Sequence, residues 1–142
     1  MTLNEVQDGV VAELESRFPD VEVFTEPPEG GFVGPCFFVK LLNTAHTQEL
    51  NRRYRRVHTF DIQYFAAGAG SRNGIMQETA EQLYESMETI VTEGNICRGT
   101  GMRHEIADGV LHFYVEFKFL VYRPASDDQV MGTLERKEGL KS

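Results

Sequence analysis

The sequence is poor in the features that would indicate a secreted or membrane-bound protein. Among 142 residues there are only two cysteines, Cys36 and Cys97, and they do not form a CxxC pair. The N-terminal residues lack a basic start followed by an apolar run, so they do not have the pattern of a signal peptide. No apolar stretch approaches the length of a membrane-spanning helix. We therefore expect a cytosolic protein with two unpaired thiols, each acting as a small buried apolar side chain.

Motifs for catalysis and metal binding are also missing. No P-loop, GxSxG or paired-carboxylate motif is present, and the four histidines do not have the spacing of metal ligands. The one conceivable nucleophile is Cys36, which follows Gly34-Pro35 at the start of an apolar stretch, where a thiol is more often inert. We predict no catalytic residue, no metal and no cofactor, and an enzyme that uses Cys36 remains only as an alternative.

Positive charge is scarce overall but concentrated in one place. The chain has 14 basic and 22 acidic residues, which give a formal net charge of −8. An acidic chain is a poor general binder of nucleic acids or membrane surfaces, because both attract positive charge. Four of the basic residues nevertheless lie within five positions, as Arg52, Arg53, Arg55 and Arg56 around Tyr54.

Three explanations of this arginine cluster are open. A solvated edge strand can carry charge to prevent stray pairing, although lysine is the usual residue there and the segment has none. A nucleic-acid site is possible, but one short patch in an acidic chain gives weak affinity. Arginine with an interleaved tyrosine is also typical of protein interfaces, and a carboxylate-rich partner, including another copy of this chain, suits it best. The candidate interface residues are Glu49, Arg52, Arg53, Tyr54, Arg55 and Arg56.

Hydrophobic periodicity predicts two helices and several strands. A capping box, Thr2 with Glu5, precedes apolar residues at helical spacing. The predicted elements are a helix over 3–17, a strand over 21–25, a loop over 26–35, a strand over 36–43, a turn over 44–48, a long strand over 49–65, a loop over 66–73, a helix over 74–90, a strand around 95–98, and hairpin strands over 102–107 and 110–122.

The long predicted strand over 49–65 has two unlike halves. From His58 onward the residues alternate, with an apolar row on one face and Thr59, Asp61 and Gln63 on the other. The first half is polar on both faces, so it cannot lie over a core, and we predict that it protrudes.

Asp108-Gly109 is the strongest local signal, because this pair favours a type I′ turn between two strands. A two-residue loop fixes the register, so it places Glu105 opposite His112 as an ordinary cross-strand pair. It also gives one core-facing row on the last strand: Leu111, Phe113, Val115, Phe117, Phe119 and Val121.

The predicted fold class is α+β, a mainly antiparallel sheet with two amphipathic helices packed on one side and a protruding β-hairpin. Residues 1–123 are expected to form a single domain. Residues 124–142 have many charges and no aromatic residue, and they are expected to form a charged C-terminal tail.

Several segments between the N-terminal helix and about Arg123 carry a resemblance to a known family. They are Pro35-Cys36-Phe37-Phe38-Val39, Gln48-Glu49-Leu50, the residues 52–56, Phe60-Asp61-Ile62, Tyr64-Phe65, Arg98-Gly99, Met102-Arg103-His104-Glu105 and Asp108-Gly109-Val110-Leu111-His112-Phe113. Together they resemble the phage tail terminator (tail completion) proteins of phages and prophages of Gram-positive bacteria.

The resemblance implies a non-enzymatic virion protein, assembled in the host cytoplasm and located at the head-proximal end of the tail. Members form a hexameric ring that ends polymerisation of the tail tube and provides the head-joining surface. The implied partners are other copies of the chain, the tail tube protein and the head–tail connector protein, with DNA only as cargo passing through the ring.

Two hypotheses follow for this chain. The arginines pair with carboxylates on the neighbouring subunit or on the last ring of the tube, and the acidic remainder lets DNA slide through without sticking. The alternative from another class is a small non-enzymatic adaptor or ligand-binding module of the host cell.

Overall fold

The computed structural model describes residues 2–49, 51–68, 73–92 and 94–122. Its elements are α1 (Leu3–Arg17), β1 (Glu22–Phe24), β2 (Cys36–Gln48), β3 (Arg53–Phe65), α2 (Asn73–Ser86), β4 (Thr89–Thr92), β5 (Asn95–Ala107) and β6 (Val110–Tyr122). The described residues divide into two compact units, one made of 2–45, 57–68, 73–92 and 94–119 and the other of 46–49, 51–56 and 120–122. The predicted tail over 124–142 lies outside the described residues, and the single domain over 1–123 stays a prediction.

Helix α1 begins as the sequence predicts. The Thr2 hydroxyl accepts a hydrogen bond from the Glu5 backbone N–H at 3.3 Å, and the Glu5 carboxylate accepts one from the Thr2 N–H at 2.9 Å. This reciprocal capping box satisfies two of the donors that a helix start leaves open. The helix buries Val6, Val10 and Leu14 on one side, in agreement with the apolar spacing.

The six strands form one sheet in the order β1-β2-β3-β6-β5-β4. The short β1 pairs with β2 in parallel, and β5 pairs antiparallel with both β4 and β6. The predicted α+β class with a mainly antiparallel sheet is therefore confirmed.

The β5–β6 hairpin has the predicted turn and the predicted register. Asp108 and Gly109 have φ of 53° and 76°, and two positive values are what a type I′ turn requires. Ala107 pairs with Val110 and Ile106 pairs with Leu111, so the turn aligns the alternating row of β6 with the core.

The core of the first unit lies between the helices and the sheet. Apolar side chains of both helices and of alternate strand positions form one buried cluster. Its largest fully buried apolar members are Leu14, Phe37, Phe60, Ile62, Leu83, Met87, Ile90, Leu111, Phe113 and Phe117.

A second, aromatic cluster involves the strand positions that alternate with those of the core. Phe32, from the loop before β2, stacks on Phe65 with ring centroids 4.3 Å apart and also contacts Phe24 and Phe38. Gly34 is required nearby, because a Cβ there would lie 2.5 Å from the Phe65 carbonyl oxygen. The predicted loop over 26–35 is thereby fastened to the sheet.

Three predicted boundaries are wrong. The predicted turn over 44–48 belongs to β2, which continues to Gln48, and the next strand begins at Arg53 rather than at Glu49. The predicted helix over 74–90 is also too long, because α2 ends at Ser86 and Ile90 lies in β4.

Asp61 is a buried carboxylate on β3. Its side chain alternates with the core row as expected, but it is only 4% exposed. One carboxylate oxygen, Oδ2, accepts a hydrogen bond from the Gln63 side-chain amide and lies 3.0 Å from His112 Nδ1. The pairing with His112, from β6, explains how a carboxylate is accommodated at this position.

Candidate interface at the tip of the β2–β3 hairpin

The six candidate interface residues lie at the end of the β2–β3 hairpin. We call the segments 46–49 and 51–56 the hairpin tip. None of these residues belongs to the buried apolar cluster, and the last seven residues of β2, 42–48, are all exposed. The sequence predicts this feature, because a strand that is polar on both faces has no side to bury.

Glu49 organises the arginines of the tip. Its Oε2 atom lies 2.9 Å from Arg55 Nε and 2.7 Å from Arg55 Nη2, and its Oε1 atom lies 3.3 Å from Arg53 Nε. The Glu49 backbone N–H also donates to the Arg53 carbonyl at 2.8 Å, which closes the chain reversal. The Glu49 side chain is only 21% exposed, so one carboxylate holds two guanidinium groups in place.

Tyr54 and Arg56 both contact His46, on the opposite strand. The Tyr54 and His46 rings stack with centroids 4.6 Å apart and 12° between their planes. Arg56 Nε donates to His46 Nδ1 at 2.9 Å, so that ring nitrogen acts as an acceptor. The sequence pattern does not reveal His46 as part of the site, because it predicts a turn at this residue.

Arg52 differs from the other three arginines. It lies in the reversal between the strands and is exposed, and within the described part of the chain it has no ion-pair partner. It lines a pocket of about 250 Å³ together with Asn51, Arg53 and Tyr122. Tyr122, at the end of β6, is 68% exposed, and sequence analysis did not associate it with this site.

The tip is a local exception to the charge of the chain. Four arginines and one glutamate give the residues 46–56 a formal charge of +3, in a chain of −8. Glu49 offsets only one of the two charges of Arg53 and Arg55, so the excess positive charge is shared by this pair, Arg52 and Arg56. A surface of this kind attracts carboxylates, and its exposed Tyr122 adds an aromatic contact.

Cys36 does not have the environment of a nucleophile. Its side chain is 1% exposed, and burial, followed by the nearby Glu22 carboxylate, raises the pKa of its thiol. Reactive cysteines have the opposite property, a lowered pKa in a positive and accessible setting.

The histidines also differ from what a metal site would need. His112 stands opposite Glu105 in the register, as predicted, but its side chain contacts Asp61, and Glu105 accepts a hydrogen bond from Tyr114 at 2.8 Å. The predicted cross-strand pairing of Glu105 with His112 is therefore confirmed, although the two side chains bond to different partners. Across the described ranges, no three His, Cys, Asp or Glu side chains are grouped as metal ligands would be. Within the same ranges, no helix is long and apolar enough to cross a membrane.

Comparison with known proteins gives one clear result. The family described as "Phage tail terminator protein" matches residues 5–129 of this chain. No curated protein matches the sequence. A solved structure that is 15% identical covers 87% of this chain and 99% of its own length with a TM-score of 0.47, which is too low to support a conclusion. Since the family match spans most of the sequence, the chain belongs to the phage tail terminator family and is a structural protein of the phage tail.

Proposed function

We propose that this protein caps the head-proximal end of the tail tube as a hexameric ring, ends tube polymerisation and provides the surface that joins the head. Its partners are then further copies of itself, the tail tube protein and the head–tail connector protein. Family membership supports a role in the virion over the alternative of a host adaptor.

The observation that carries the proposal is the hairpin tip. It holds four arginines, makes no contribution to the core, and carries a charge opposite to that of the rest of the chain. A monomer gains nothing in folding from such a segment, whereas an assembly of acidic subunits gains charge complementarity from it. We therefore assign six residues to an interface with a neighbouring subunit or with the tube end. They are Glu49, Arg52, Arg53, Tyr54, Arg55 and Arg56.

The contacts inside the tip suggest a different role at the interface for each group of arginines. Glu49 fixes Arg53 and Arg55, so these side chains present their outer N–H groups in a preset orientation. Arg52 brings a charge that lacks a counter-ion in the described chain and so gains most from a partner's carboxylate. The acidic remainder would repel DNA, which then passes through the ring as cargo without sticking.

The test is charge reversal at the tip in the phage that encodes this protein. Arg52→Glu with Arg55→Glu is expected to give tails of irregular, excessive length that carry no heads, as seen by electron microscopy of lysates. The control is Lys118→Glu, an exposed reversal in the first unit. Thermal unfolding should show only a small loss for the double variant, on the order of 1 kcal/mol, because exposed ion pairs contribute little.

Normal tails with heads attached, made by the double variant at normal protein levels, would show that the tip has no part in termination. A label on the purified protein that appears along the tail or at its distal end would refute the proposed location.

A further inference from the structure

One face of the hairpin formed by β4 and the start of β5 is exposed. This β4–β5 hairpin pairs residues 89–92 with 95–98. Helix α1 packs on its other face, where a Cβ added at Gly9 would lie 3.2 Å from Ile90 Cδ1 and 2.6 Å from Thr92 Cγ2. Side chains alternate along a strand, so the positions between these lie on the face away from α1. All of them are exposed.

The exposed face of the hairpin carries two apolar side chains and one cation. Val91 and Ile96 are register partners, and they are 64% and 73% exposed. Arg98 lies two residues after Ile96 and therefore on the same face, and within the described part of the chain it has no ion-pair or hydrogen-bond partner. Contiguous exposed apolar side chains mark contact surfaces, and arginine is enriched in such surfaces.

Helix α2 offers the complementary chemistry on its exposed side. Ile75 is 47% exposed, and Glu78, three residues later, is its exposed neighbour on the helix surface. Among the described residues Glu78 has no ion-pair partner, whereas Glu85 of the same helix pairs with Arg17. This part of α2 thus presents one aliphatic side chain beside one carboxylate whose charge is open to a partner.

We propose that the exposed face of the β4–β5 hairpin of one copy packs on α2 of the next copy. Arg98 then pairs with Glu78, and the two aliphatic side chains of the hairpin cover Ile75. The inference rests on the proposed ring, for which it names the contact between subunits. The occupant is a second copy because one chain carries both halves of the contact, with opposite charges and an apolar area on each.

The placement of the two surfaces makes this a contact between copies. Both helices share one buried cluster with Ile90, so α2 lies on the core side of the sheet, and the exposed face of the hairpin lies on the opposite side. The two surfaces therefore cannot meet within one chain. A contact between unlike surfaces of two subunits closes a ring when the rotation per subunit is right.

Cysteine crosslinking tests the contact directly. The natural thiols do not interfere, because Cys36 and Cys97 are 1% and 3% exposed. A chain with both Ile75→Cys and Val91→Cys should give a ladder of oxidised oligomers, in purified tails and in concentrated protein. A mixture of the two single variants should stop at dimers, and neither single variant alone should crosslink.

Charge exchange supplies an independent measurement of the same contact. Arg98→Glu is expected to weaken self-association about tenfold, as measured by light scattering or on tails, because it replaces an attractive charge pair by a repulsive one. Adding Glu78→Arg should restore association, whereas adding Glu15→Arg, an exposed reversal on α1, should not. Equal recovery with both second changes would show that only the net charge matters and would overturn the contact.

The outcomes separate the contact from the ring. Hexamers that persist without any ladder, or a Val91→Cys variant that crosslinks to itself, would overturn the proposed contact and leave the ring intact. Crosslinks from Val91→Cys to the tube protein alone would also overturn it and would assign this surface to the tube. Absence of rings both in solution and on tails would refute the proposed function itself.

Discussion

Gly99 offers a sharp test of how the β4–β5 corner is built. A Cβ at this position would lie 2.1 Å from the Met87 carbonyl oxygen and 3.0 Å from Val115 Cγ2. Normal contact between a carbon and an oxygen atom needs roughly 1 Å more than the first distance. The obstacle is backbone, so Gly99→Ala cannot be accommodated by rotating a side chain and must move β5 away from the end of α2.

The expected loss of stability follows from this movement. The Gly99 N–H donates to the Glu88 carbonyl at 2.9 Å, and moving the strand by about 1 Å breaks that bond, at a net cost of about 1 kcal/mol. Overpacking adds about 1–3 kcal/mol. We therefore expect Gly99→Ala to lower the free energy of unfolding by about 2–4 kcal/mol, a large share of the roughly 5–15 kcal/mol that a domain has.

Gly109→Ala is the matched control. Gly109 has φ of 76° and nothing within 4 Å of an added Cβ, so its substitution costs only backbone strain, about 1–2 kcal/mol. Because the chain has no tryptophan, unfolding in urea is best followed by far-UV circular dichroism. A loss at Gly99 no larger than that at Gly109 would show that the corner is not as tightly packed as described.

Two further predictions concern the polar side chains that alternate with the core row of β6. Burial, and the hydrogen bond from its hydroxyl to Glu105, raise the pKa of Tyr114 from 10.0 to about 12. The contribution of this raised pKa to the free energy of unfolding is fully present below pH 10 and is lost as the pH rises towards 12. Because the ring is partly solvated, the loss is on the order of 1 kcal/mol. Tyr114→Phe should flatten the pH dependence of the free energy of unfolding, measured in urea, in that range. An unchanged pH dependence would contradict the raised pKa of Tyr114. Separately, His112→Ala should cost about 1–3 kcal/mol because it removes a partner of the buried Asp61 carboxylate. In a double-mutant cycle with Asp61→Ala the two losses should not add, and strict additivity would show that the pair is not coupled.

The sequence predicts correctly those elements in which local chemistry and burial agree. The capping box of Thr2 and Glu5 marks the start of α1, and Asp108-Gly109 sets the turn and register of the last hairpin. In both cases a short-range signal coincides with an apolar pattern that fits one structure only.

Elements without a unique apolar pattern are predicted poorly. Residues 44–48 form the outer part of β2, and a strand exposed on both faces has no alternation to reveal it, so its polar composition indicates a turn. Ile90 continues the helical spacing of α2 but also suits the buried side of a short strand, and β4 is what forms. The burial of Asp61 depends on His112, which is distant in sequence and becomes its neighbour only in the folded sheet.

The candidate interface is also predicted only in part by the sequence. The arginine cluster is visible in the sequence as a departure from the charge of the chain. The pairing of Arg53 and Arg55 with Glu49 depends on where the chain reverses, and that point was misplaced. Tyr122 joins Arg52 only through the paths of two different strands, so no local pattern could have linked them.

The hairpin tip and the Asp108-Gly109 turn have opposite tolerance to insertions and deletions. One residue added at the turn would shift the register of β6 and exchange its two faces, which would bring polar side chains into the apolar row. At the tip, where no core residue is present, the loop can be lengthened or shortened while every buried contact is kept. Evolution is therefore free to remodel this hairpin as its binding partners change, and related phage proteins should differ in length there first.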